Sequence, residues 1–442
     1  MSAERYVFEF RHSVDPTALV EHLKVQGLVR DYLMYRNHTG EGETIVALNS
    51  RARVRVSRDV VELDGDQPEK HSRVRAEDPL KQVERALADV PLRNWTAYGY
   101  IGFDLARFYF DYRKDTGYPS LFFMIPETEL RIARDSVRVT TALPAQVWKD
   151  VLDAARKATR HPQSATPPQP GSSDHQEYVA RVQTLIGWIQ EGKLQKAILS
   201  RRVEVPGELD VLGTYLNARD ANNAARSFCF ELSGVRGVGF SPELFLEATS
   251  DGQVITNPLA GTRPRGGTLD EDQRVRAELV ADSKEVKEHA MSVRLAQEEM
   301  SRVCHAETVR IYDFMDVKQF RCVQHLSSRV SGQLKAGFTT WDAAKILFPA
   351  ITVSGVDKAA ALKAIGQLEE GPRGVYGGAV GWIDQSGAAD LCLAIRSVYG
   401  YDQRTVLNAG AGIVAESRPE MEYMESVNKM KTMATHVTLA SS

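Results

Sequence analysis

Residues His175 to Pro206 read HQEYVARVQTLIGWIQEGKLQKAILSRRVEVP, and this stretch decides the fold class. Val179, Val182, Leu185, Ile186 and Ile189 recur at helical spacing behind possible caps at Ser173 and Asp174, and Gly192 closes the pattern. A strand follows at once, Ala197 to Leu199 running into Val203 to Val205. Downstream, Asp282 with Glu285 three residues on reads as a capping box opening a helix through Met300, and Ser417 with Glu420 as another opening a last helix. Between them Val375 to Ile383, Leu391 to Val398 and Val406 to Ala411 are short apolar or alternating runs punctuated by turn residues.

Upstream lies a composition break. Thr159 to Asp174, TRHPQSATPPQPGSSD, carries four prolines and no apolar period, so it is expected to be an exposed connector. Before it, Thr44 to Leu48, Val54 to Val56 and Val60 to Leu63 read as strands and Pro16 to Gln26 as a helix. The expectation is an α+β (α/β) chain with strands in both halves: residues 1–174 form an N-terminal half ending in the connector, and residues 175–442 form the second half. No repeat of 20 to 50 residues is present.

The composition removes several functions. Fifty-five Lys plus Arg against 58 Asp plus Glu give a net charge of −3, without the cationic excess that nonspecific nucleic-acid binding requires. No run approaches the roughly 20 apolar residues of a membrane span, and MSAERYVFEF puts charges where a signal peptide needs an apolar core, so a cytoplasmic protein is expected. Cys229, Cys304, Cys322 and Cys392 lack Cys-x-x-Cys spacing, which points to buried thiols rather than a zinc site or disulfides.

Several residue groups could carry chemistry. Glu285 with Glu288, and Glu422 with Glu425, each share a helix face, and four carboxylates from two helices suit Mg²⁺. The same residues also read as a cap and as surface pairs, Glu425 with Lys429 among them. Gly410-Ala411-Gly412 continues to Ala415 as G-x-G-x-x-A, yet no helix opens on the glycines, so a dinucleotide fold is rejected. What remains there is either backbone free to approach an anion or a plain turn. Arg396 ends an apolar run and Lys196 begins one; each reads as a ligand-facing cation or as a snorkelling or paired side chain. His325 reads equally as a satisfied structural histidine.

Taken together, the order of motifs resembles the chorismate-utilising enzymes. It runs through Lys196-Ala-Ile-Leu-Ser-Arg201, Gly239-Phe-Ser-Pro-Glu243, Pro258-Leu-Ala-Gly-Thr262 and Asp282-Ser-Lys-Glu-Val-Lys-Glu288-His289. Gln324-His325-Leu326, Pro349-Ala-Ile-Thr-Val-Ser-Gly355, Tyr376-Gly-Gly-Ala-Val-Gly381 and Gly410-Ala-Gly412 follow. In the N-terminal part Tyr98-Gly-Tyr-Ile-Gly-Phe103 is the best matching segment. Within that group the chain looks most like the salicylate synthases of siderophore pathways, because Ala260 stands where aminodeoxychorismate synthases carry a nucleophilic lysine and no tryptophan-sensing motif is found.

The resemblance implies one large catalytic unit of two packed, antiparallel-rich β-sheets flanked by helices, acting on chorismate through isochorismate to salicylate and pyruvate. It implies Lys196 as base and Glu243 as acid, with His325 and Thr352 associated with pyruvate loss. Mg²⁺ would be held by Glu288 and Glu425, with Glu285 and Glu422 acting through water. Tyr376, Arg396 and Gly412, beside Gly410, would grip the enolpyruvyl carboxylate; Gly261 and Thr262 would line the ring, and Lys429 would sit near the metal-bound carboxylate. A monomer without an obligatory amidotransferase is expected. Two alternatives share the fold, an isochorismate synthase without lyase activity and an ammonia-using anthranilate synthase component, and a third is a catalytically dead binding relative. Asp357 departs from the family pattern, where proline commonly precedes the lysine equivalent to Lys358.

Overall fold

The structure is a computed structural model that describes residues 5–39, 42–65, 72–157, 174–222, 224–319 and 323–440. The expected connector, apart from Asp174, lies outside the described residues, as do Ser173 and Cys322. Within them, 21 strands join one hydrogen-bonded network. Its pairings are antiparallel throughout, for example Tyr32–Asn37 with Arg226–Leu232, Val235–Ser241 with Ser397–Tyr401, and Arg404–Ile413 with Lys196–Pro206. At the other end, Thr96–Ile101 pairs with Ala379–Asp384, so strands from before and after the connector alternate in one sheet.

The two packed sheets expected from sequence are two layers of this single network. Tyr98, Tyr100, Phe122 and Val380 share an apolar cluster with Phe228, Phe230, Tyr399 and Val406, although several strands separate the two groups in pairing order. That is possible only if the sheet folds back on itself. Tyr100 and Phe230 stack across the layers with ring centroids 5.5 Å apart. Two long strands, Thr44–Ser57 and Leu121–Ile132, pair along their length and shift register between Ser50 and Ala52, which bends them into both layers.

Helices cover the outer faces. One cluster packs Leu80, Val83 and Leu87 of Pro79–Ala88 and Val293, Ala296, Met300 and Val303 of Ser283–Val303 against the sheet. A second uses Leu19 and Leu23 of Pro16–Val25 and Met430 and Met433 of Pro419–Ala434. These 3- and 4-residue spacings are the apolar stripe a sheet-packed helix needs.

Two helix starts differ from expectation. Asp282 does cap Ser283–Val303, accepting from Lys284 N and Glu285 N, but Glu285 turns away to Arg263, so the box is half made. Pro419–Ala434 begins one residue later than Ser417 allows, because Pro419 is pre-set for a first turn. Ser417 instead accepts from Val414 N at 3.1 Å, and Glu420 faces His175 at 2.6 Å. Asp174 precedes His175–Gln190 without capping it, because its carboxylate is occupied by Arg201. Asp357 leaves the neighbouring helix in place at Lys358–Leu368. No helix among the described residues is long and apolar enough to cross a membrane.

Candidate active site

Lys196 opens the strand Lys196–Pro206, which is paired on both edges by Gly355–Val356 and by Arg404–Ile413. This fixes where its side chain starts. The side chain is 1% exposed, and Nζ lies 2.7 Å from Glu288 Oε1. Gly412 sits beside this pair, and a Cβ there would stand 2.4 Å from Glu288 Oε1, so bare backbone is what lets the carboxylate approach.

Glu243 follows Pro242 in the turn between Val235–Ser241 and Leu244–Ala248, its backbone pinned by Ser241 and by the Leu393 amide at 3.0 Å. Burial pushes its carboxyl pKa up to about 8, against the pull of the Thr352 hydroxyl, the Leu259 amide, Lys196 and Lys429. Thr352 Oγ1 donates to Glu243 Oε1 at 2.5 Å. A carboxyl group in this setting is protonated at neutral pH and can donate.

One pocket is lined by Lys196, Glu243, Gly261, Glu285, Glu288, His325, Thr352, Tyr376, Arg396, Gly410, Gly412, Glu425 and Lys429. Ala260 also faces it. Thirteen of the fifteen site residues expected from sequence are therefore together. Glu422 is buried behind the lining, and Thr262 is placed by backbone alone, in register with His325. Burial, with Arg396 and Lys429 nearby, lowers the His325 pKa to about 3, so it is a neutral imidazole. Arg396 occupies the link between Ala389–Leu393 and Ser397–Tyr401 with φ +51°, a left-handed conformation costing about 1–3 kcal/mol that the paired strands enforce.

The four candidate metal-ligating carboxylates are each matched to a cation. Glu285 meets Arg263 at 2.9 Å, Glu288 meets Lys196, Glu422 meets Lys284 at 2.9 Å, and Glu425 meets Lys429 at 2.6 Å. Burial raises the pKa values of Glu285 and Glu422, with Arg263 and Lys284 opposing it and neighbouring carboxylates adding to it. For Glu425 burial is outweighed by Lys429, and its pKa is lowered; Lys429 is correspondingly raised despite burial. Lys429 Nζ also donates to the Gly410 carbonyl at 3.0 Å. Among the described residues no three Asp, Glu, His or Cys side chains converge as a ready ligand set. The donors are all oxygen, which fits Mg²⁺ in kind, but a metal would have to displace cationic partners.

Sequence reading missed Arg263, Lys284 and Asn408. Lys284 and Asn408 line the pocket, while Arg263 and Lys284 balance its carboxylates. Lys284 stood inside the Asp282 to His289 motif, and its place one helical turn ahead of Glu288 was the available signal.

Comparison with known proteins adds to the geometry. The pattern of a chorismate binding enzyme family matches residues 31–435. A salicylate synthase of Mycolicibacterium paratuberculosis is 44% identical over 265 residues, 60% of this chain and 59% of that protein's length. An anthranilate synthase component 1 of Pseudomonas putida is 30% identical over 96% of this chain and 93% of its own. The crystal structure of anthranilate synthase component I from Streptococcus pneumoniae superposes with a TM-score of 0.74 at 27% identity, covering 89% of this chain and 92% of its own.

Proposed function

We propose, for a chain that belongs to the chorismate binding enzyme family, that it converts chorismate through isochorismate to salicylate and pyruvate. The observation that carries this reading is the meeting, in one pocket, of the buried Lys196 side chain with a protonated carboxyl at Glu243. The salicylate synthase likeness supports it, and Ala260 at the pocket wall fits it, since an alanine offers no nucleophile and leaves a small free molecule, water or ammonia, as the incoming group.

In the first step a water adds to ring C2, giving its proton to Lys196, while the C4 hydroxyl leaves as water with the proton of Glu243. The net change is an isomerisation. Lys196 accepts that proton only as a neutral amine, so its pair with Glu288 must part and its own proton must first pass to solvent, because an ammonium, paired or not, has no free electron pair. Thr352 holds Glu243 in place for donation. Arg396, Tyr376 and the Gly412 amide, beside Gly410, would grip the enolpyruvyl carboxylate, and Lys429 would sit near the metal-bound ring carboxylate; all five line the pocket. Mg²⁺ would be held by Glu288 and Glu425, with Glu285 and Glu422 acting through water, and would supply positive charge for the ring carboxylate.

In the second step the ether bond between ring and enolpyruvyl arm breaks as a ring hydrogen moves to the methylene carbon, which releases pyruvate and an aromatic ring. No acid or base is needed beyond orientation, and neutral His325 and Thr352 contribute to that positioning. Incubation with chorismate and Mg²⁺ in the absence of ammonium tests the reading, which requires salicylate fluorescence to grow.

A second reading has its own support. The Pseudomonas putida relative spans nearly the whole chain, so an ammonia-using anthranilate synthase component remains the alternative. It requires that no turnover occur until ammonium is added.

A further inference from the structure

Behind the pocket, outside its lining, stands a buried ion pair of Arg373 and Glu369. Arg373 Nε donates to Glu369 Oε2 at 2.9 Å and Nη2 to Glu369 Oε1 at 2.6 Å. The same guanidinium reaches two backbone carbonyls, Val353 through Nη1 at 2.7 Å and Ile198 through Nη2 at 2.7 Å. Glu369 Oε1 in turn accepts from Ser200 N at 2.7 Å. Arg373 Cζ lies 4.2 Å from the Phe103 ring centroid and 5.9 Å from the Tyr376 ring centroid. Asp104 completes the frame by accepting from Arg373 N at 3.1 Å and Gly374 N at 3.0 Å.

These partners are not scattered. Ile198 is two residues from Lys196 on the same strand, Val353 follows Thr352, and Tyr376 lines the pocket. We propose that Arg373, braced by Glu369, is a positioning residue that locks the Lys196 strand, the Thr352 turn and Tyr376 into one frame around the substrate. The inference rests on the function proposed above and adds a residue that touches no substrate. A planar fork suits the task, because only a guanidinium can serve a carboxylate and two separately placed carbonyls at once. The alternative, a pair that only stabilises the core, needs charge but not that geometry.

The test uses the full chain carrying Arg373→Lys or Glu369→Gln and reads chorismate consumption, whichever product forms, so a different product overturns the proposed function without touching this inference. Arg373→Lys keeps a cation beside Glu369 but cannot also hold Val353 and Ile198. Misplacement of the reacting groups should then lower kcat on the order of 10²-fold and raise KM in molecules that still melt cooperatively. Glu369→Gln sets an amide against Arg373 Nε and should cost roughly tenfold in kcat; if the lysine variant fails to fold, this variant decides. The alkaline limb of the pH profile gives a second readout. Displacing the Thr352 turn removes one of the groups that hold the Glu243 ionisation down, beside Lys196, Lys429 and the Leu259 amide, so the limb should move to higher pH. Folded variants with wild-type kcat, KM and alkaline limb, and only a lower melting temperature, overturn the proposal.

Discussion

Lys196 Nζ and Glu288 Oε1 lie 2.7 Å apart, so the candidate base and a candidate metal ligand form one buried ion pair. Neither can take up its proposed role while it holds the other. Mg²⁺ binding therefore depends on the charge of Glu288, and the expected outcome is that Mg²⁺ raises the melting temperature of the wild type but raises that of Glu288→Gln little. A thermal-shift titration with Mg²⁺ and with a chelator measures this. Equal stabilisation of both proteins would remove Glu288 from the metal site.

Gly412 gives a steric version of the same test. A Cβ there meets Glu288 Oε1 at 2.4 Å and Lys196 Cε at 3.3 Å, so Gly412→Ala must push the pair apart. Turnover should fall by about 10²-fold or more, in line with displacement of reacting groups by an ångström. Steady-state kinetics with a melting curve on the same sample separates this from unfolding.

Glu243 sets the alkaline limit. Its folded pKa is raised to about 8, and donation requires the protonated form, so activity should fall as pH rises through about 8. Stability follows with the same sign. The unfolded carboxyl ionises near pH 4.5 while the buried one resists, so the folded state loses stability between pH 4.5 and about 8 and little more above it. Glu243→Gln removes that penalty, and its melting temperature relative to wild type should climb across this window and then level off while turnover is lost. A constant difference from pH 5 to 9 would contradict the burial argument.

Thr352 pulls the Glu243 ionisation down through its 2.5 Å hydrogen bond. Thr352→Val keeps shape and removes the donor, so the alkaline limb should move to higher pH and kcat should drop by roughly tenfold, the equivalent of a hydrogen bond to a reacting group. A pH–rate profile of both proteins checks it.

Much of the site could be read along the chain because each motif is local. Lys196, Glu243, Glu288 and Glu425 belong to short runs whose spacing survives inspection of one strand or one helix face. What could not be read is who neutralises whom. Arg263 meets Glu285 from 22 residues away, Lys284 meets Glu422 from 138, and Arg373 reaches Ile198 from 175, neighbours fixed only when helices and strands pack together. Ser417 shows the opposite failure: a correct residue pattern for a cap yielded to Pro419, because a proline at the first turn already meets the need. The continuity of the two layers was likewise hidden, since nothing in the runs Thr44 to Leu48 and Val54 to Val56 says that one bent strand spans both.

In the proposed reaction water, not ammonia, is the incoming group, and pyruvate loss follows in the same pocket. The most direct measurement is a time course of the purified chain with chorismate and Mg²⁺ in ammonium-free buffer, following salicylate and pyruvate together. Both products should appear in equal amounts, with isochorismate only as a transient. Accumulation of isochorismate without pyruvate, or turnover that begins only when ammonium is added, would contradict it.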